Sequence, residues 1–388
     1  MSVAAAAVLG CSSCLRRRPP RAGAGETAAV VSGVYIYPVK STAEISVQCA
    51  RVTAQGFASD RVFQVVSARG NSEGRGDAHG VETALSSTPW AAGRFLTPRD
   101  KGCEKLFHVT AEIGGDDQRL TLTSEHTPGG SSFVLDLQSC STTRVTCEVL
   151  GVPRPNDSKE QLQDYGDGVA AWLDSATGCP GGCRLVGIAG AEIGLGAARL
   201  PGEQGAYGRI VVVSPGQNDA LPADRKHHPV SLADEAPFLL TNTASLDDLN
   251  IRLNLRNRAA VDMRRFRPNI VVSGLRAWEE DSWKRLRISS VQGNCAVEFH
   301  VWQRCGRCKM TTYDRDSLER NNHEPLVTMN RFRARKGGER NFGMHLIPCE
   351  GSSGGFDATA LVHVDAKVEV LEYDEARRAE WERLFASG

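Results

Sequence analysis

The chain contains 388 residues, which is enough for two domains of ordinary size with room for loops. Hydrophobic residues make up 41% of it, which permits a sizeable core and argues against wholesale disorder. Lys and Arg together number 46, as do Asp and Glu, so the net charge is zero. A general nucleic-acid binder would carry a basic excess. We therefore expect no nucleic-acid partner, and any anion site must be a local cluster.

The first 25 residues differ in composition from the rest of the chain. They carry Arg16, Arg17, Arg18 and Arg21 and no acidic residue, after a run of small and apolar residues. This composition predicts an organelle transit peptide and a mitochondrial location, with plastid or cytoplasm as alternatives. A disordered tail without an address would show the same composition. No segment reaches the roughly 20 apolar residues of a transmembrane helix, and peripheral membrane association stays open beside solubility.

Short β-rich runs dominate the first half of the chain. We predict strands in these segments: Val30–Lys40, Arg61–Ala68, the hairpin of KLFHVTAEI and QRLTLTS across the turn GGDD, and TTRVTCEVLG. Asp167–Gly178 predicts a helix, because Val169, Trp172 and Leu173 recur at helical spacing before a terminal glycine. The Gly- and Ala-rich segment Gly187–Gly216 has no firm periodicity and predicts a surface insertion or linker.

The second half opens with a predicted helix in NTASLDDLNIRL, with Thr243 or Ser245 as its N-cap. Further strands are predicted in NIVVSG, WKRLRIS, CAVEFHVWQ, KMTTYD, GMHLIP and KVEVLEY, and helices in PLVTMNRF and the terminal DEARRAEWERLFASG. Many short strands, few helices and no βαβ alternation predict a mainly β protein of the α+β class. A barrel or closed sheet fits this pattern better than a doubly wound fold.

Cys305 and Cys308 form a C-x-x-C pair in WQRCGRCKMTTYD, the strongest local signal for chemistry. Arg304, Arg307 and Lys309 flank the pair, and cations beside a thiol favour the thiolate. A thiolate is both a nucleophile and a ligand for soft metals.

Three interpretations of this pair stay open on spacing alone. The cysteines could be ordinary residues at a strand end, or one of them could hold a metal as a single thiolate. A structural zinc site needs four ligands, and Cys295 and His323 are nearby donors at irregular spacing. The twelve cysteines are otherwise dispersed, and without a secretory signal we interpret most of them as reduced thiols.

Basic and polar residues stand at the ends of the predicted strands. They are Lys40, Ser41, Arg61, Arg99, Arg267 and Asn269. The planar fork of arginine suits a phosphate, and lysine adds a point charge. Such residues could converge on an anion at one mouth of a barrel, although each alone is typical of a solvated surface.

Several motifs together resemble a known family. YPVKS near the start resembles the N-terminal β-barrel domain that precedes MOSC domains, the C-terminal modules of molybdenum cofactor sulfurases. The order of a MOSC domain is followed by APFLLTNTASLDDLN, FRPNIVVSG, EEDSW, RCGRCKMTTYD, HEPLVTMNRFR and NFGMHLIP. The resemblance runs from about Val34 to Tyr373. Within the family it points to the mitochondrial amidoxime-reducing components, small molybdenum enzymes that remove oxygen from N-hydroxylated compounds.

The resemblance implies a MOSC β-barrel domain preceded by a smaller, β-rich MOSC N-terminal domain. The predicted segments are 1–29 as a targeting or disordered segment, 30–155 as the MOSC N-terminal domain, 156–223 as a helix and linker, 224–375 as the MOSC domain, and 376–388 as a C-terminal tail.

The resemblance also implies a molybdopterin cofactor, with molybdenum held by one cysteine. On the motif match this metal ligand and catalytic residue is Cys308, and a thiolate suits such a soft metal centre. The cofactor-contacting positions are matched by Lys40, Ser41, Arg61, Arg267 and Asn269, to which we add Arg99. Arg267 would pair with the cofactor phosphate or pterin, and Asn269 would hydrogen-bond the pterin edge.

The chain departs from the family pattern before Pro237. Relatives often carry hydroxyl residues there, whereas this sequence has Glu235 and Ala236. A carboxylate close to a phosphate is repulsive. Glu235 must therefore point away, pair with an arginine or indicate a different binding mode.

The implied activity is reduction of small N-hydroxylated substrates of the amidoxime type. The chain has no flavin or haem signature of its own, so electrons must come from a partner, which in the family is cytochrome b5 with its NADH-dependent reductase. An acidic haem protein could dock on the basic residues Arg331, Arg333, Arg335 and Lys336, unless these belong to a solvated loop.

A cofactor carrier without reductase activity is the alternative function. Related domains in cofactor sulfurases hold the molybdenum cofactor for its maturation. Full sulfurases carry a pyridoxal-phosphate domain ahead of this module, and the present chain is too short to include one, so pyridoxal phosphate is only a family-level association. A zinc-bound structural protein using Cys295, Cys305, Cys308 and His323 is the third hypothesis.

Overall fold

The structure is a computed structural model that describes residues 29–68, 94–114, 119–137, 143–147, 160–188, 209–212, 227–290, 295–321, 323–334, 340–349 and 360–386. The predicted targeting segment lies outside these residues except for residue 29. Most of the predicted linker Gly187–Gly216 also lies outside them.

Strands dominate the described residues. They are β1 (Val30–Ile36), β2 (Ile45–Val47), β3 (Cys49–Thr53), β4 (Gly56–Phe57), β5 (Phe63–Ser67), β6 (Thr110–Ile113), β7 (Arg119–Thr123), β8 (Phe133–Asp136), β9 (Arg144–Cys147), β10 (Glu160–Asp164), β11 (Cys183–Gly187), β12 (Arg209–Val212), β13 (His227–Val230), β14 (Phe238–Asn242), β15 (Ile270–Ser273), β16 (Trp283–Ser289), β17 (Ala296–Gly306), β18 (Asn341–Pro348), β19 (Leu361–His363) and β20 (Lys367–Tyr373). The α-helices are α1 (Asp167–Thr177), α2 (Thr243–Asn254), α3 (Leu326–Asn330) and α4 (Glu375–Trp381).

Seven strands close into a barrel in the order β15-β14-β18-β17-β16-β20-β1, and the pairing of β1 with β15 completes the ring. The pair β14–β15 is parallel, and the other pairs in the ring are antiparallel. Closure leaves these strands without free edges along the ring. The predicted mainly β fold with a barrel is confirmed.

The barrel interior is a packed apolar core. Leu240, Ile270, Phe299 and Met344 are fully buried there. Each large apolar side chain removed from water contributes about 1.5–3 kcal/mol. Because successive side chains in a strand point to opposite faces, the residues between these core positions face away from the barrel interior.

The first half of the chain forms a second, separate core. Two sheets, β5-β11-β10-β9 and β6-β7-β8, enclose it together with helix α1. Val169, Trp172 and Leu173 are buried in this core, as their helical spacing predicted. The helix ends at Gly178, whose φ of 64° is the left-handed conformation that glycine adopts without steric cost.

Strand pairing does not follow the predicted domain bounds at two places. Strands β1 and β2, which precede the N-terminal domain's core, pair within the barrel sheet. Strands β10 and β11 lie in the segment predicted as helix and linker, but they belong to the N-terminal domain's sheet. The link between β1 and β2 packs Val39 into the core of the smaller domain, and it places Lys40 and Ser41 between the two cores.

Several predicted elements are confirmed, and three details differ. The GGDD hairpin forms as β6 and β7, but the start of its predicted strand KLFHVTAEI belongs to the 3₁₀ helix Glu104–His108, and the described residues do not include the turn. The N-cap of α2 is Asn242, which accepts a hydrogen bond from the Ala244 amide at 3.0 Å, and not Thr243 or Ser245. The predicted strand KMTTYD is instead a short 3₁₀ helix, Lys309–Thr312, with two buried threonines.

Strand β14 was not predicted. All five of its residues are buried, so the segment has no polar and apolar alternation to identify it. No helix among the described residues is long and apolar enough to cross a membrane.

Candidate functional site

A cavity lies against the outer wall of the barrel, where it meets the N-terminal domain. In the pairing of β14 with β18, Leu239 lies opposite His345 and Leu240 opposite Met344. Leu240 and Met344 point into the barrel core, so Leu239 and His345 face outward. Both line a cavity of about 320 Å³. The sequence suggested convergence at a barrel mouth, whereas the structure places the residues on the side wall.

All of the predicted site residues line this one cavity. They are Lys40, Ser41, Arg61, Arg99, Arg267, Asn269 and Cys308. They come from five segments: the crossing after β1, the turn before β5, the segment before the 3₁₀ helix Glu104–His108, the loop before β15 and the turn after β17. This convergence is a property of the fold, and the binding roles assigned to the residues stay predictions.

Positive charge exceeds negative charge in the cavity wall. The cations are Lys40, Arg61, Arg99, Arg267 and Arg307, and the carboxylates are Asp234 and Glu235. Lys40 Nζ lies 2.6 Å from the carboxylate of Asp234, which is 63% exposed, and 4.5 Å from the Phe95 ring centroid. A partly enclosed cavity with surplus cations attracts an anionic ligand.

The two cysteines of the C-x-x-C pair differ in exposure. Cys305 is buried and is the second-last residue of strand β17. Cys308 is exposed and directly precedes the 3₁₀ helix Lys309–Thr312. The Cys308 carbonyl accepts hydrogen bonds from the Thr311 amide at 3.2 Å and from the Thr311 hydroxyl at 3.0 Å, which fix the turn. Both cysteines line the cavity, and Cys308 is the more exposed thiol of the pair.

Cys305 and His345 form a charge-coupled pair in the cavity wall. Arg307 Nη1 donates to Cys305 Sγ at 2.8 Å. Burial raises the pKa of the Cys305 thiol, but Arg307 and His345 outweigh burial and lower it. Burial opposes protonation of His345, yet Cys305 and Glu235 raise the pKa of His345 above its ordinary value. Glu235 Oε2 lies 3.7 Å from His345 Nδ1, so this carboxylate pairs with a histidine.

Arg61 is held in place by two neighbours. Its Nη1 donates to Asp60 Oδ2 and, at 3.2 Å, to Asn269 Oδ1. Asn269 Nδ2 donates to the Tyr35 carbonyl at 3.2 Å and to Asp60 at 3.1 Å, and its Oδ1 also accepts from the Leu239 amide at 3.2 Å. These contacts use both hydrogens and both lone pairs of the amide. Asn269 thus positions Arg61, and the predicted hydrogen bond to a pterin edge would require one of these contacts to break.

Three residues of the wall have a left-handed backbone. The φ angles of Ser41, Arg61 and Arg267 are 72°, 53° and 55°. For residues other than glycine this conformation costs about 1–2 kcal/mol each. Contacts offset the cost at Arg267, because its Nη1 donates to the Thr42 carbonyl at 2.6 Å and its guanidinium lies 4.2 Å from the Tyr37 ring centroid. Such strain is concentrated at binding sites in many proteins.

One of the predicted flanking cations is structural. The buried Arg304 side chain forms ion pairs with Asp281 at 2.8 Å and with Glu380 at 2.9 Å. Arg304 and Lys309 do not line the cavity, and Arg307 is the flanking cation that does. Of the three flanking cations, Arg307 is the one that both contacts a thiol and lines the cavity.

The four basic residues predicted as a docking surface, Arg331, Arg333, Arg335 and Lys336, do not all lie at the surface. Arg333 is buried, and its guanidinium pairs with Asp281 at 2.6 Å and 3.0 Å. Arg331 is exposed, and Arg335 and Lys336 lie outside the described residues. Arg333 therefore contributes to folding and not to a surface patch.

The positions of the four proposed zinc ligands contradict the zinc hypothesis. Cys295 directly precedes β17 and Cys305 lies near its end, so about ten residues of strand, on the order of 30 Å, separate them. Among the described residues, the one cluster of three or more His, Cys, Asp or Glu side chains with converging ligand atoms lies elsewhere. Cys295, Cys305, Cys308 and His323 do not form a zinc site.

Two residues of the site escaped the sequence analysis. Asp60 is buried next to Arg61 and accepts hydrogen bonds from both Arg61 and Asn269. His345 sits in the apolar strand GMHLIP, where a single polar residue was the available signal.

The residues fit an anionic cofactor that contains a soft metal. Cys308 offers an exposed sulfur, and the surrounding cations offer donors to a phosphate. The Arg307 Nε is buried and has no hydrogen-bond partner among the described residues. The volume of about 320 Å³ falls within the range of small-molecule pockets.

The protein is a two-domain, mainly β protein whose closed barrel carries a cation-lined cavity on its wall, beside the second domain. Residues 227–369 match the MOSC domain, and residues 28–180 match the MOSC N-terminal beta barrel domain. The chain belongs to the family of MOSC proteins that carry this N-terminal domain.

The chain is similar both to amidoxime-reducing components and to molybdenum cofactor sulfurases. The mitochondrial amidoxime reducing component 2 of Bos taurus is 30% identical over 323 residues, which cover 82% of this chain and 76% of the relative. The mitochondrial amidoxime-reducing component 1 of Mus musculus is 28% identical over 335 residues, 85% of this chain and 78% of the relative. The molybdenum cofactor sulfurase of Oryza sativa subsp. japonica is 27% identical over 313 residues, 79% of this chain but 31% of the sulfurase.

Proposed function

We propose that this protein binds the molybdenum cofactor and reduces small N-hydroxylated compounds of the amidoxime type. The observation that carries the proposal is the exposed Cys308 thiol in a cavity whose wall holds more cations than carboxylates. The amidoxime-reducing relatives support the proposed reductase activity, because the matched region covers 76% and 78% of the length of two of them.

The residues of the cavity would hold the cofactor by charge and by one metal–sulfur bond. Cys308 would bind molybdenum through its thiolate, which a soft metal prefers. Lys40, Arg61 and Arg267 would hold the phosphate-bearing end, since charge-assisted hydrogen bonds to phosphate are strong and arginine can make two in parallel. When bound, the cofactor supplies the two-electron chemistry that removes oxygen from nitrogen.

His345 would supply a proton to the reaction. Cleavage of the N–O bond consumes two electrons and two protons and yields an N–H bond and water. His345 lines the cavity, and its imidazolium is stabilised by Cys305 and by Glu235. A histidine whose pKa is raised by neighbouring negative charge is suited to donate a proton as a general acid.

The electron donor and the location complete the proposal. We propose that cytochrome b5 and its NADH-dependent reductase supply electrons, because the sequence carries no flavin or haem signature of its own. We propose a mitochondrial location on the arginine-rich first 25 residues and on the relatives' names.

Metal analysis and turnover of the purified protein test the proposal. We expect about one molybdenum per chain and NADH-dependent reduction of benzamidoxime with cytochrome b5 and its reductase. Cys308→Ala should lose most of the molybdenum and all turnover. Cys305→Ala is the matched control and should keep its molybdenum. Full molybdenum in Cys308→Ala would show that the ligand assignment is wrong.

A cofactor carrier is the second candidate function. It is favoured by the similarity to the rice sulfurase over 79% of this chain. A molybdenum-loaded protein that transfers its cofactor to an acceptor apoenzyme but does not turn over benzamidoxime would favour the carrier over the reductase.

A further inference from the structure

A second cluster of metal-ligating side chains lies away from the cavity, in the N-terminal domain. His108 ends the 3₁₀ helix Glu104–His108, and Glu125 and His126 lie in the turn after β7. His108 Nδ1 is 2.9 Å from His126 Nε2 and 2.8 Å from Glu125 Oε1, and the Glu125 and His126 atoms are 3.9 Å apart. Among the described residues, this is the one group of three or more such side chains whose ligand atoms converge.

A backbone contact fixes which nitrogen of His108 faces the cluster as an acceptor. His108 Nε2 lies 2.8 Å from the Arg315 carbonyl, which can only accept, so Nε2 carries a hydrogen. In a neutral ring, Nδ1 then carries a lone pair and no hydrogen. This atom faces the carboxylate oxygen Oε1 of Glu125 at 2.8 Å. Two acceptors at that distance repel unless a proton or a cation lies between them. Histidine ligands of metals commonly donate their other N–H to a carbonyl in this way.

The three ligand atoms are close enough to share a single ion. They lie 2.9, 2.8 and 3.9 Å apart, on either side of the roughly 3.3–3.6 Å that separates two ligands of a tetrahedral zinc ion with bonds of about 2.0–2.2 Å. We propose that His108, Glu125 and His126 bind one divalent transition-metal ion, of which Zn²⁺ suits two imidazoles and a carboxylate best.

The ion would be reached from solvent and would keep one open position. Glu125 is 71% exposed, while the side chains of His108 and His126 are 14% and 24% exposed. His108 and Glu125 line a second cavity of about 680 Å³ at the junction with the barrel, beside Arg264 and Arg315. Water from that cavity supplies the fourth ligand, which gives the coordination of three protein ligands and one exchangeable site.

Metal titration of the full chain tests this proposal independently of molybdenum. The protein is stripped with a chelator and titrated with Co²⁺, whose visible absorption reports four-coordinate nitrogen and oxygen ligands, and with Zn²⁺ in competition. We expect one saturable site, displacement of Co²⁺ by Zn²⁺, and at least a tenfold loss of affinity in His126→Ala and in Glu125→Gln. His323→Ala, which removes an exposed histidine outside the cluster, is the control and should bind as the unaltered chain does.

Each other outcome counts against the site. No saturable uptake, or equal affinity in His126→Ala and the unaltered chain, overturns the proposal and leaves an imidazole–imidazole hydrogen bond as the explanation of the geometry. A thiolate-to-cobalt absorption that disappears in Cys308→Ala would place the ion in the first cavity and overturn it as well. Circular dichroism checks that each variant is folded, and His126→Gln replaces His126→Ala if that variant is not.

Discussion

Two arginine-rich regions of the molecule use their charges differently. In the first cavity, five cations face two carboxylates. In a second, buried cluster, Asp281 pairs with Arg304 and Arg333, and Glu380 also pairs with Arg304. Balanced charges inside a protein hold the fold together, whereas a surplus of cations around an open space favours an external anion.

The pKa of Arg267 reflects the same difference. Burial, and then the positive charge of Arg315, lowers the pKa of Arg267. Arg267 has no ion-pair partner among the described residues, so burial makes its positive charge costly, and a bound phosphate would offset that cost. Arg265, two residues earlier, pairs with Asp314 at 2.6 Å and provides the natural contrast.

Asp281→Ala should produce the largest effect on stability. It leaves Arg304 and Arg333 buried without their shared partner, and the loss of one member of a buried pair costs about 3–5 kcal/mol. Chemical denaturation measures the change in the free energy of unfolding. The control is Glu279→Ala, whose partner Arg276 is 65% exposed, and we expect a change of less than about 1 kcal/mol. Equal effects in the two variants would contradict the distinction between buried and exposed pairs.

Glu280 should make stability depend on pH in the opposite direction from an ordinary carboxylate. Burial, followed by the charge of Asp281, raises the pKa of Glu280 to about 7. Between about pH 4.5 and pH 7 the folded protein holds a proton that the unfolded chain releases, so stability falls as the pH rises. Denaturation of the unaltered protein should show this decline, on the order of 3 kcal/mol at most. Glu280→Gln should flatten it, and parallel curves for the two proteins would refute the assignment.

Arg267→Ala should weaken cofactor retention more than it weakens the fold. A charge-assisted hydrogen bond is worth about 1.5–3 kcal/mol, which corresponds to at least a tenfold loss of affinity. Molybdenum retained during dialysis is the measurement. Arg265→Ala is the matched control and should lower stability while it keeps the cofactor. The reverse pattern would remove Arg267 from the binding site.

Arg99→Ala should have the smallest effect of the four. Arg99 is exposed at the cavity rim, and its Nε lies 3.4 Å from the Thr97 hydroxyl. Exposed charges contribute about 0.2–1 kcal/mol, so cofactor affinity should fall only a few-fold in the same dialysis experiment. A loss as large as that of Arg267→Ala would mean that Arg99 contacts the cofactor directly.

Local sequence patterns determined much of the secondary structure and the class of fold. Helix α1 follows from the spacing of Val169, Trp172 and Leu173, because helical periodicity is a property of neighbouring residues. The mainly β barrel follows from many short strands without βαβ alternation. The motifs around Cys308 indicated the family, which the matched domains confirm.

Only the tertiary structure decided which of several similar residues face the same space. Arg304 and Arg307 flank one cysteine in sequence, yet Arg304 is turned into a buried ion pair and Arg307 lines the cavity. The exposure of Cys308 and the burial of Cys305 depend on where strand β17 ends. The pairing of Glu235 with His345 joins residues more than a hundred positions apart. Charge balance and burial arise from contacts between distant segments, and no local pattern of the sequence contains them.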